Sequence, residues 1–180
     1  MGIVLIGGGA RSGKSRYALE YAERHASAPV FLATCEPRDD EMRSRIARHQ
    51  TERSSLWTTV EEPLDLAGAL RREAPRYDLL LVDCLTLWLS NVLLDPGRDA
   101  RQELNSLSGF LKGWRGPLLV LITNEVGQGI VPENALAREF RDLAGEMNQA
   151  VARAADEVYW MVFGVPMTVK GGAASKPPAS

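Results

Sequence analysis

The sequence has few cysteines, no long apolar run and no excess of positive charge, and each absence excludes a class of protein. Two cysteines, Cys35 and Cys84, cannot build a disulfide framework, and neither lies in a CxxC pair, so we expect free thiols. No apolar run approaches the roughly 18 residues that a membrane span needs, and we expect a cytoplasmic protein. A net charge of −2 argues against a nucleic-acid binder, which presents a basic surface to phosphates.

Short apolar segments alternate with helical patterns along most of the chain, which is typical of βαβ units. We therefore predict the α/β class, with one domain over residues 1–170, a mainly parallel sheet, and a flexible tail over 171–180. The predicted strands are 2–7, 29–34, 56–60, 77–83, 118–123 and 158–163. Helix 134–155 repeats an apolar residue every three or four positions, at Leu136, Phe140, Leu143, Met147, Val151 and Ala154. Helix Leu85–Leu94 is apolar nearly all round, so it is buried in the core or in a subunit interface.

A glycine-rich segment between the first strand and the first helix carries the strongest motif. It consists of Gly8, Gly9, Ala10, Arg11, Ser12, Gly13, Lys14 and Ser15. This order fits G-x-x-x-x-G-K-[ST], in which backbone N–H groups and a helix N-terminus bind the phosphates of a nucleotide. Lys14 is predicted to reach the terminal phosphates, and Ser15 to offer its hydroxyl to Mg²⁺. The alternative is a glycine-rich turn that matches by chance, but the strand before it and the helix after it favour a P-loop NTPase-like fold.

One acidic residue and one histidine are further candidates. Asp83 ends an apolar strand, where P-loop enzymes place a carboxylate for Mg²⁺; the alternative is an N-cap for the helix that follows. His49 lies on the inward face of a predicted arginine-rich helix, 39–53, and the nearby positive charge favours a neutral imidazole that can attack phosphorus. Spacing alone favours a structural role for His49. His25, at the end of the first helix, is assigned no chemistry because it complements the helix dipole.

Many segments of the chain resemble one enzyme family. They are 8–18, 33–37, 45–50 with Arg53, 57–63, 82–91, 123–132, 147–149 and 162–164. The family is the bifunctional adenosylcobinamide kinase and adenosylcobinamide-phosphate guanylyltransferase of cobalamin assembly. The resemblance implies that ATP or GTP phosphorylates adenosylcobinamide, and that GTP then donates GMP to adenosylcobinamide phosphate through a guanylyl-histidine at His49. It also implies a RecA-like sheet and a homotrimer.

The same resemblance extends the nucleotide site beyond the glycine-rich segment and Asp83. It adds Ala33, Thr34, Cys35, Gln50, Thr51, Glu52, Arg53 and Glu61, and it makes His49 and Lys14 the catalytic residues. No residue marks the base of the kinase reaction. Glu125 is a candidate, but it can equally hold a tight turn through backbone hydrogen bonds. Two other functions stay open: a monofunctional P-loop kinase of a small molecule, and a nucleotide-gated regulatory module.

Overall fold

The structure, a computed structural model, describes residues 2–36 and 54–171. Its strands are β1 (Ile3–Gly8), β2 (Pro29–Ala33), β3 (Thr58–Glu61), β4 (Leu79–Asp83), β5 (Leu118–Ile122), β6 (Glu157–Val162) and β7 (Val165–Lys170). Its helices are α1 (Lys14–Glu23), α2 (Leu66–Glu73), α3 (Leu85–Leu94), α4 (Ala100–Lys112) and α5 (Ala135–Ala154). The predicted helix 39–53 and the tail after Gly171 lie outside the described residues. Within them, no helix is long and apolar enough to cross a membrane.

All seven strands of the described residues belong to one sheet in the order β3-β2-β4-β5-β1-β6-β7. Each neighbouring pair is parallel except β6 and β7, which are antiparallel. The prediction of an α/β fold with a mainly parallel sheet is therefore confirmed. The central strands β4, β5 and β1 are apolar up to their carboxyl ends because helices cover both faces of the sheet. In β4, for example, Leu80 and Val82 face one apolar cluster while Leu79 and Leu81 face the other.

Helix α3 packs in the core of the chain itself. Leu85, Trp88, Leu89 and Val92 are all at most 1% exposed, whereas Leu94 at the end of the helix is 48% exposed. The indole N–H of Trp88 donates to the carbonyl oxygen of Leu64 at 2.8 Å, so its one polar atom is also satisfied. Packing against the sheet therefore accounts for the nearly continuous apolar sequence of α3.

Helix α5 follows its predicted bounds closely, but only part of its predicted apolar stripe is buried. Leu143, Met147 and Val151 are at most 2% exposed, whereas Leu136 is 45% exposed and lies outside both apolar clusters. Asn134 caps the helix by accepting a hydrogen bond from the N–H of Ala137 at 3.1 Å. The first turn is thus fixed by its cap, and the second half of α5 is fixed by packing.

The six predicted strands are all present, with ends shifted by at most two residues, but β7 was not predicted. It follows a two-residue turn in which Phe163 has φ 51° and Gly164 has φ 82°, and positive φ at both positions is what a type I′ hairpin turn requires. The side chains of β7 are exposed, and its Pro166 is compatible with an edge strand. Since every side chain of β7 is exposed, the strand lacks the buried apolar face on which strand prediction depends.

Two leucines of α3 provide a test of this packing. Leu89→Ala should lower the free energy of unfolding by about 2–5 kcal/mol, because it leaves a cavity in a fully buried site. Leu94→Ala, on the same helix but half exposed, should change it by about 0.5 kcal/mol or less. Urea unfolding followed by circular dichroism measures both values. Equal losses for the two variants would contradict the placement of α3 in the core.

Candidate active site

The phosphate loop, residues 8–15, joins the end of β1 to the first turn of α1. Two of its glycines combine positive φ with a close approach of neighbouring backbone. A Cβ on Gly8, where φ is 153°, would lie 2.8 Å from the carbonyl oxygen of Met161, and one on Gly13, where φ is 92°, would lie 3.3 Å from Cα of Gly164. Gly13 is the N-cap of α1 and supplies no side chain to its first turn. The backbone N–H groups there face the loop, where a helix N-terminus favours an anion.

Lys14 is held inside the phosphate loop. Its side chain is nearly buried, with the residue 7% exposed. Its Nζ donates to the carbonyl oxygen of Gly9 at 2.6 Å and lies 3.4 Å from Oγ of Ser12. The ammonium group is therefore positioned across the concave side of the loop, where it can neutralise phosphate oxygens.

Ser15 and Asp83 meet at the carboxyl edge of the sheet. The hydroxyl of Ser15 donates to Oδ2 of Asp83 at 2.8 Å. The N-cap of α3 is Cys84 rather than Asp83, and its side chain makes no capping hydrogen bond. The carboxylate thus faces the phosphate loop and does not cap the following helix.

The oxygens of Ser15 and Asp83 fit the ligand preference of Mg²⁺, which takes hard oxygen donors. The described part of the chain has no group of three or more His, Cys, Asp or Glu side chains that could hold a metal ion. Mg²⁺ at a nucleotide site needs no such group, because it is usually bound by one or two carboxylates together with substrate phosphates and waters. The donor set is therefore suited to Mg²⁺ that arrives with a nucleotide.

Three other predicted nucleotide contacts lie beside Asp83 along the same edge. Ala33 ends β2 and is aligned with Asp83 on one side and with Glu61 on the other. Thr34 is fully buried, and its hydroxyl donates to the carbonyl oxygen of Cys84 and accepts from the Cys84 N–H, both at 2.8 Å. Thr34 therefore fixes the peptide directly after Asp83. Its contact with a nucleotide, and those of Ala33 and Glu61, stay predictions.

The two cysteines differ in environment. Cys35 is half-buried and its Sγ lies 3.8 Å from the carbonyl oxygen of Glu36, whereas Cys84 is buried. Burial, with a smaller contribution from the charge of Asp83, raises the pKa of the Cys84 thiol to about 12. The Cys84 thiol is accordingly neutral at physiological pH and is unsuited to nucleophilic chemistry.

A partly buried polar cluster that had no predicted role joins the start of α3 and the end of β5 to α5. Its members are Thr86, Thr123, Asn124 and Asn148, which we call the Thr–Asn cluster. The Thr123 hydroxyl donates to Oδ1 of Asn148 at 2.6 Å, and the Asn124 N–H donates to Oγ1 of Thr86 at 2.7 Å. The Asn148 amide also lies 3.3 Å from the carbonyl oxygen of Asn124. These bonds fix the backbone of Asn124 beside the phosphate loop. The sequence signal for this cluster is the pair of polar residues, Thr123 and Asn124, that directly follows the apolar strand β5.

Glu125 follows the Thr–Asn cluster and holds the next turn. Its N–H donates to the carbonyl oxygen of Gly8 at 3.2 Å, and its Oε1 accepts from the N–H of Gly127 at 2.6 Å. The structure thus shows Glu125 in the turn-holding arrangement that was the alternative to a catalytic base. No described residue is assigned as the base of the kinase reaction.

The structure describes one of the two histidines of the chain, His25, but not the other. His25 follows α1, its Nδ1 lies 2.7 Å from the carbonyl oxygen of Tyr21, and its ring stacks on that of Tyr21 with centroids 4.3 Å apart. These contacts agree with the structural role predicted for His25. The predicted nucleophile His49 lies outside the described residues, and so do its predicted neighbours Gln50, Thr51, Glu52 and Arg53.

A glycine-rich loop between a parallel strand and a helix, with a buried lysine and a strand-end aspartate beside it, defines a P-loop nucleotide-binding protein. Solved structures agree on the fold. A protein of Pyrococcus horikoshii has a TM-score of 0.55 at 9% sequence identity, covering 96% of this chain and 88% of that chain. An ATPase from the type III secretion system of pathogenic bacteria has a TM-score of 0.54 at 12% identity, covering 88% and 50%. At these identities the likeness shows the fold alone.

The sequence comparisons are more specific. Residues 4–169 match the model of the cobinamide kinase / cobinamide phosphate guanyltransferase family. The bifunctional adenosylcobalamin biosynthesis protein CobP of Pseudomonas aeruginosa is 46% identical over 171 residues, covering 93% of this chain and 96% of that protein. The bifunctional adenosylcobalamin biosynthesis protein CobU of Escherichia coli is 39% identical over 183 residues, covering 93% and 99%. The chain belongs to the cobinamide kinase / cobinamide phosphate guanyltransferase family.

The Thr–Asn cluster makes a testable contribution to stability. Asn148→Ala should lower the free energy of unfolding by about 1–3 kcal/mol, because it removes the acceptor of the Thr123 hydroxyl at a partly buried site. Gln149→Ala, one residue along on the exposed side of α5, should change it by about 0.5 kcal/mol or less. Urea unfolding of Asn148→Ala, Thr123→Val and the double variant tests the contact directly. If the two single losses add fully in the double variant, the two side chains are not coupled.

Proposed function

We propose that this chain catalyses two consecutive transfers at one phosphate loop. A nucleoside triphosphate phosphorylates adenosylcobinamide, and GTP then transfers GMP to the resulting adenosylcobinamide phosphate, giving adenosyl-GDP-cobinamide and pyrophosphate. The observation that carries the proposal is the juxtaposition of Lys14, Ser15 and Asp83 at the loop, in a chain that belongs to a family described by these two activities.

In the kinase reaction, the hydroxyl oxygen of the aminopropanol arm forms a bond to the γ-phosphorus as the bond from that phosphorus to the bridging oxygen breaks. The nucleoside diphosphate leaves, and the hydroxyl proton is released. Lys14 and the N–H groups at the start of α1 stabilise the charge that develops on the phosphate oxygens. Ser15 and Asp83 are the residues that would hold Mg²⁺ beside these phosphates. When bound, this ion neutralises negative charge between the β- and γ-phosphates.

In the guanylyl transfer, we propose that an imidazole nitrogen of His49 forms a bond to the α-phosphorus of GTP while the bond to the β-phosphate oxygen breaks. Pyrophosphate leaves, held by the phosphate loop. An oxygen of adenosylcobinamide phosphate then attacks the same phosphorus, and the phosphorus–nitrogen bond breaks. The covalent guanylyl-histidine divides one difficult displacement into two easier ones. Similarity to the family supports His49 in this role.

A homotrimer is also part of the proposal, since the resemblance implies one. Large apolar side chains exposed after β5 support contact with another subunit: Ile130 is 96% exposed, Val131 59% and Leu136 45%. Adjacent exposed apolar residues commonly mark protein–protein contacts.

The covalent intermediate can be tested with GTP labelled at the α-phosphate. The protein should acquire label that is labile in acid and stable in base, as expected for a phosphorus–nitrogen bond. His49→Ala should remove the label. His25→Ala is the matched control because the chain has 2 histidines, and it should label like the unchanged protein. An unlabelled wild-type protein that still phosphorylates adenosylcobinamide would indicate a monofunctional kinase instead.

The metal role of Asp83 can be tested without removing its hydrogen bond. Asp83→Asn keeps an oxygen that can accept from the Ser15 hydroxyl but removes the charge. It should raise the Mg²⁺ concentration that gives half-maximal kinase activity at least about tenfold, since groups that act only through a metal ligand already contribute roughly 10- to 100-fold. Asp142→Asn, whose side chain is 62% exposed on α5, is the control. An unchanged Mg²⁺ dependence in Asp83→Asn would remove Asp83 from the metal site.

A further inference from the structure

Asn124 follows β5, the strand that lies between the two parts of the candidate active site. In the sheet, β5 has β1 and the phosphate loop on one side, and β4 with Asp83 on the other. The three strands are parallel, so their carboxyl ends lie side by side at one edge. In open parallel sheets this is the edge where ligands bind. Asn124, the second residue after β5, therefore lies between the phosphate loop and the end of β4.

Hydrogen bonds fix the backbone of Asn124 at this position. Its N–H donates to Oγ1 of Thr86 at 2.7 Å, and its carbonyl oxygen lies 3.3 Å from the Asn148 amide. The next N–H along the chain, that of Glu125, donates to the carbonyl oxygen of Gly8 at 3.2 Å. Asn124 thus contributes only its main chain to the Thr–Asn cluster, and its side chain is left for another contact.

The side-chain amide of Asn124 is half-buried and weakly bonded. Its Nδ2 donates to Sγ of Cys84 at 3.6 Å, and sulfur is a weak acceptor. An amide side chain offers two donors and an acceptor oxygen, and the described part of the chain supplies no other partner for this one. Because Cys84 directly follows Asp83, the contact also places the amide on the Asp83 side of the end of β5. A half-buried amide with an unused N–H beside a phosphate loop is suited to donate to a phosphate oxygen.

We propose that the Asn124 side-chain amide donates to a γ-phosphate oxygen of the bound triphosphate and is a catalytic residue of the kinase reaction. Ser15 and Asp83 are the residues that would hold Mg²⁺ between the β- and γ-phosphates, and the amide contacts the residue that follows Asp83. The inference rests on the proposed function for the identity of the acceptor.

The amide acts on charge and exchanges no proton. As the bond from the γ-phosphorus to the bridging oxygen breaks and the bond to the acceptor hydroxyl oxygen forms, an N–H of Asn124 stabilises the negative charge on the other γ-phosphate oxygens. In the guanylyl transfer, the γ-phosphate leaves intact as part of pyrophosphate. The same hydrogen bond therefore contributes less to that reaction than to the kinase reaction.

Kinase kinetics with γ-labelled GTP and ATP test this contact. Asn124→Ala should lower kcat for phosphorylation of adenosylcobinamide by about 100- to 1,000-fold, the usual loss when one preorganised donor to a transition state is removed. The dissociation constant of GTP, measured by calorimetry, should stay nearly unchanged, because the loop and Lys14 bind the ground state. Labelling of the protein by α-labelled GTP should slow far less than phosphorylation. Asn105→Ala, exposed on α4, is the matched control and should change none of these values.

Asn124→Asp separates catalysis from packing. Asp keeps the shape of Asn but replaces the donor with a negative charge, so kcat of the kinase reaction should fall at least as far as in Asn124→Ala. If the side chain only packs the end of β5 against Cys84, Asn124→Asp would retain activity and Cys84→Ala would reproduce the loss. Either result overturns the proposal, and so does an equal slowing of phosphorylation and protein labelling in Asn124→Ala.

Failure of this inference can be distinguished from failure of the proposed function. A wild-type protein that phosphorylates adenosylcobinamide no faster than Asn124→Ala does would overturn the role of Asn124 alone. A wild-type protein that transfers no γ-phosphoryl group would refute the proposed kinase reaction as well.

Discussion

The hydrogen bond from Ser15 to Asp83 joins two parts of the chain that are 68 residues apart in sequence, and the rest of the site is arranged around it. It requires that β1 and β4 end at the same edge of the sheet, with only β5 between them. It also requires that α1 begin immediately after Gly13, so that Ser15 lies in the first turn and faces the neighbouring strand. The same turn directs the N–H groups of the helix into the loop. The Ser15–Asp83 contact therefore fixes both the position of the helix N–H groups in the phosphate loop and the position of the oxygens that suit a metal ion.

The edge of the sheet is kept in place by side chains that need not touch a substrate. Thr34 fixes the Cys84 peptide behind Asp83, and the Asn91 amide donates to the carbonyl oxygen of Thr34 at 2.8 Å. The hydrogen bonds of the Thr–Asn cluster likewise hold the backbone at the end of β5. Strand ends carry backbone groups that no neighbouring strand pairs, and such groups are costly when buried. Satisfying them with short, buried side chains makes this edge rigid, which is what a preorganised phosphate site requires.

Sequence patterns were sufficient for the parts of this molecule that depend on local order. Continuous apolar strands, the glycine-rich loop and the unbroken helix Leu85–Leu94 could each be predicted because their signals lie within a few neighbouring residues. The strand β7 could not, since it is an exposed edge strand without an apolar face directed to the core. The hydrogen bonds of Thr34, Thr123 and Asn148 could not be predicted either, because each joins residues 24 to 50 positions apart. Spatial pairing at that range depends on the order of the strands, which no local pattern specifies.

A loop that binds phosphate through backbone N–H groups does not distinguish one reaction from another. Under the proposed function, the main chain of Gly9 to Gly13 and the ammonium of Lys14 bind the terminal phosphates in the same way whether the γ-phosphoryl group leaves or pyrophosphate leaves. Under the proposed function, selection between the two transfers comes from the group presented to the γ- or the α-phosphorus, the acceptor hydroxyl in one case and the proposed nucleophile His49 in the other. His49 belongs to the chain between β2 and β3, outside the described residues. On this proposal a single nucleotide position supports both reactions, because the loop binds the phosphates while a different nucleophile attacks each phosphorus.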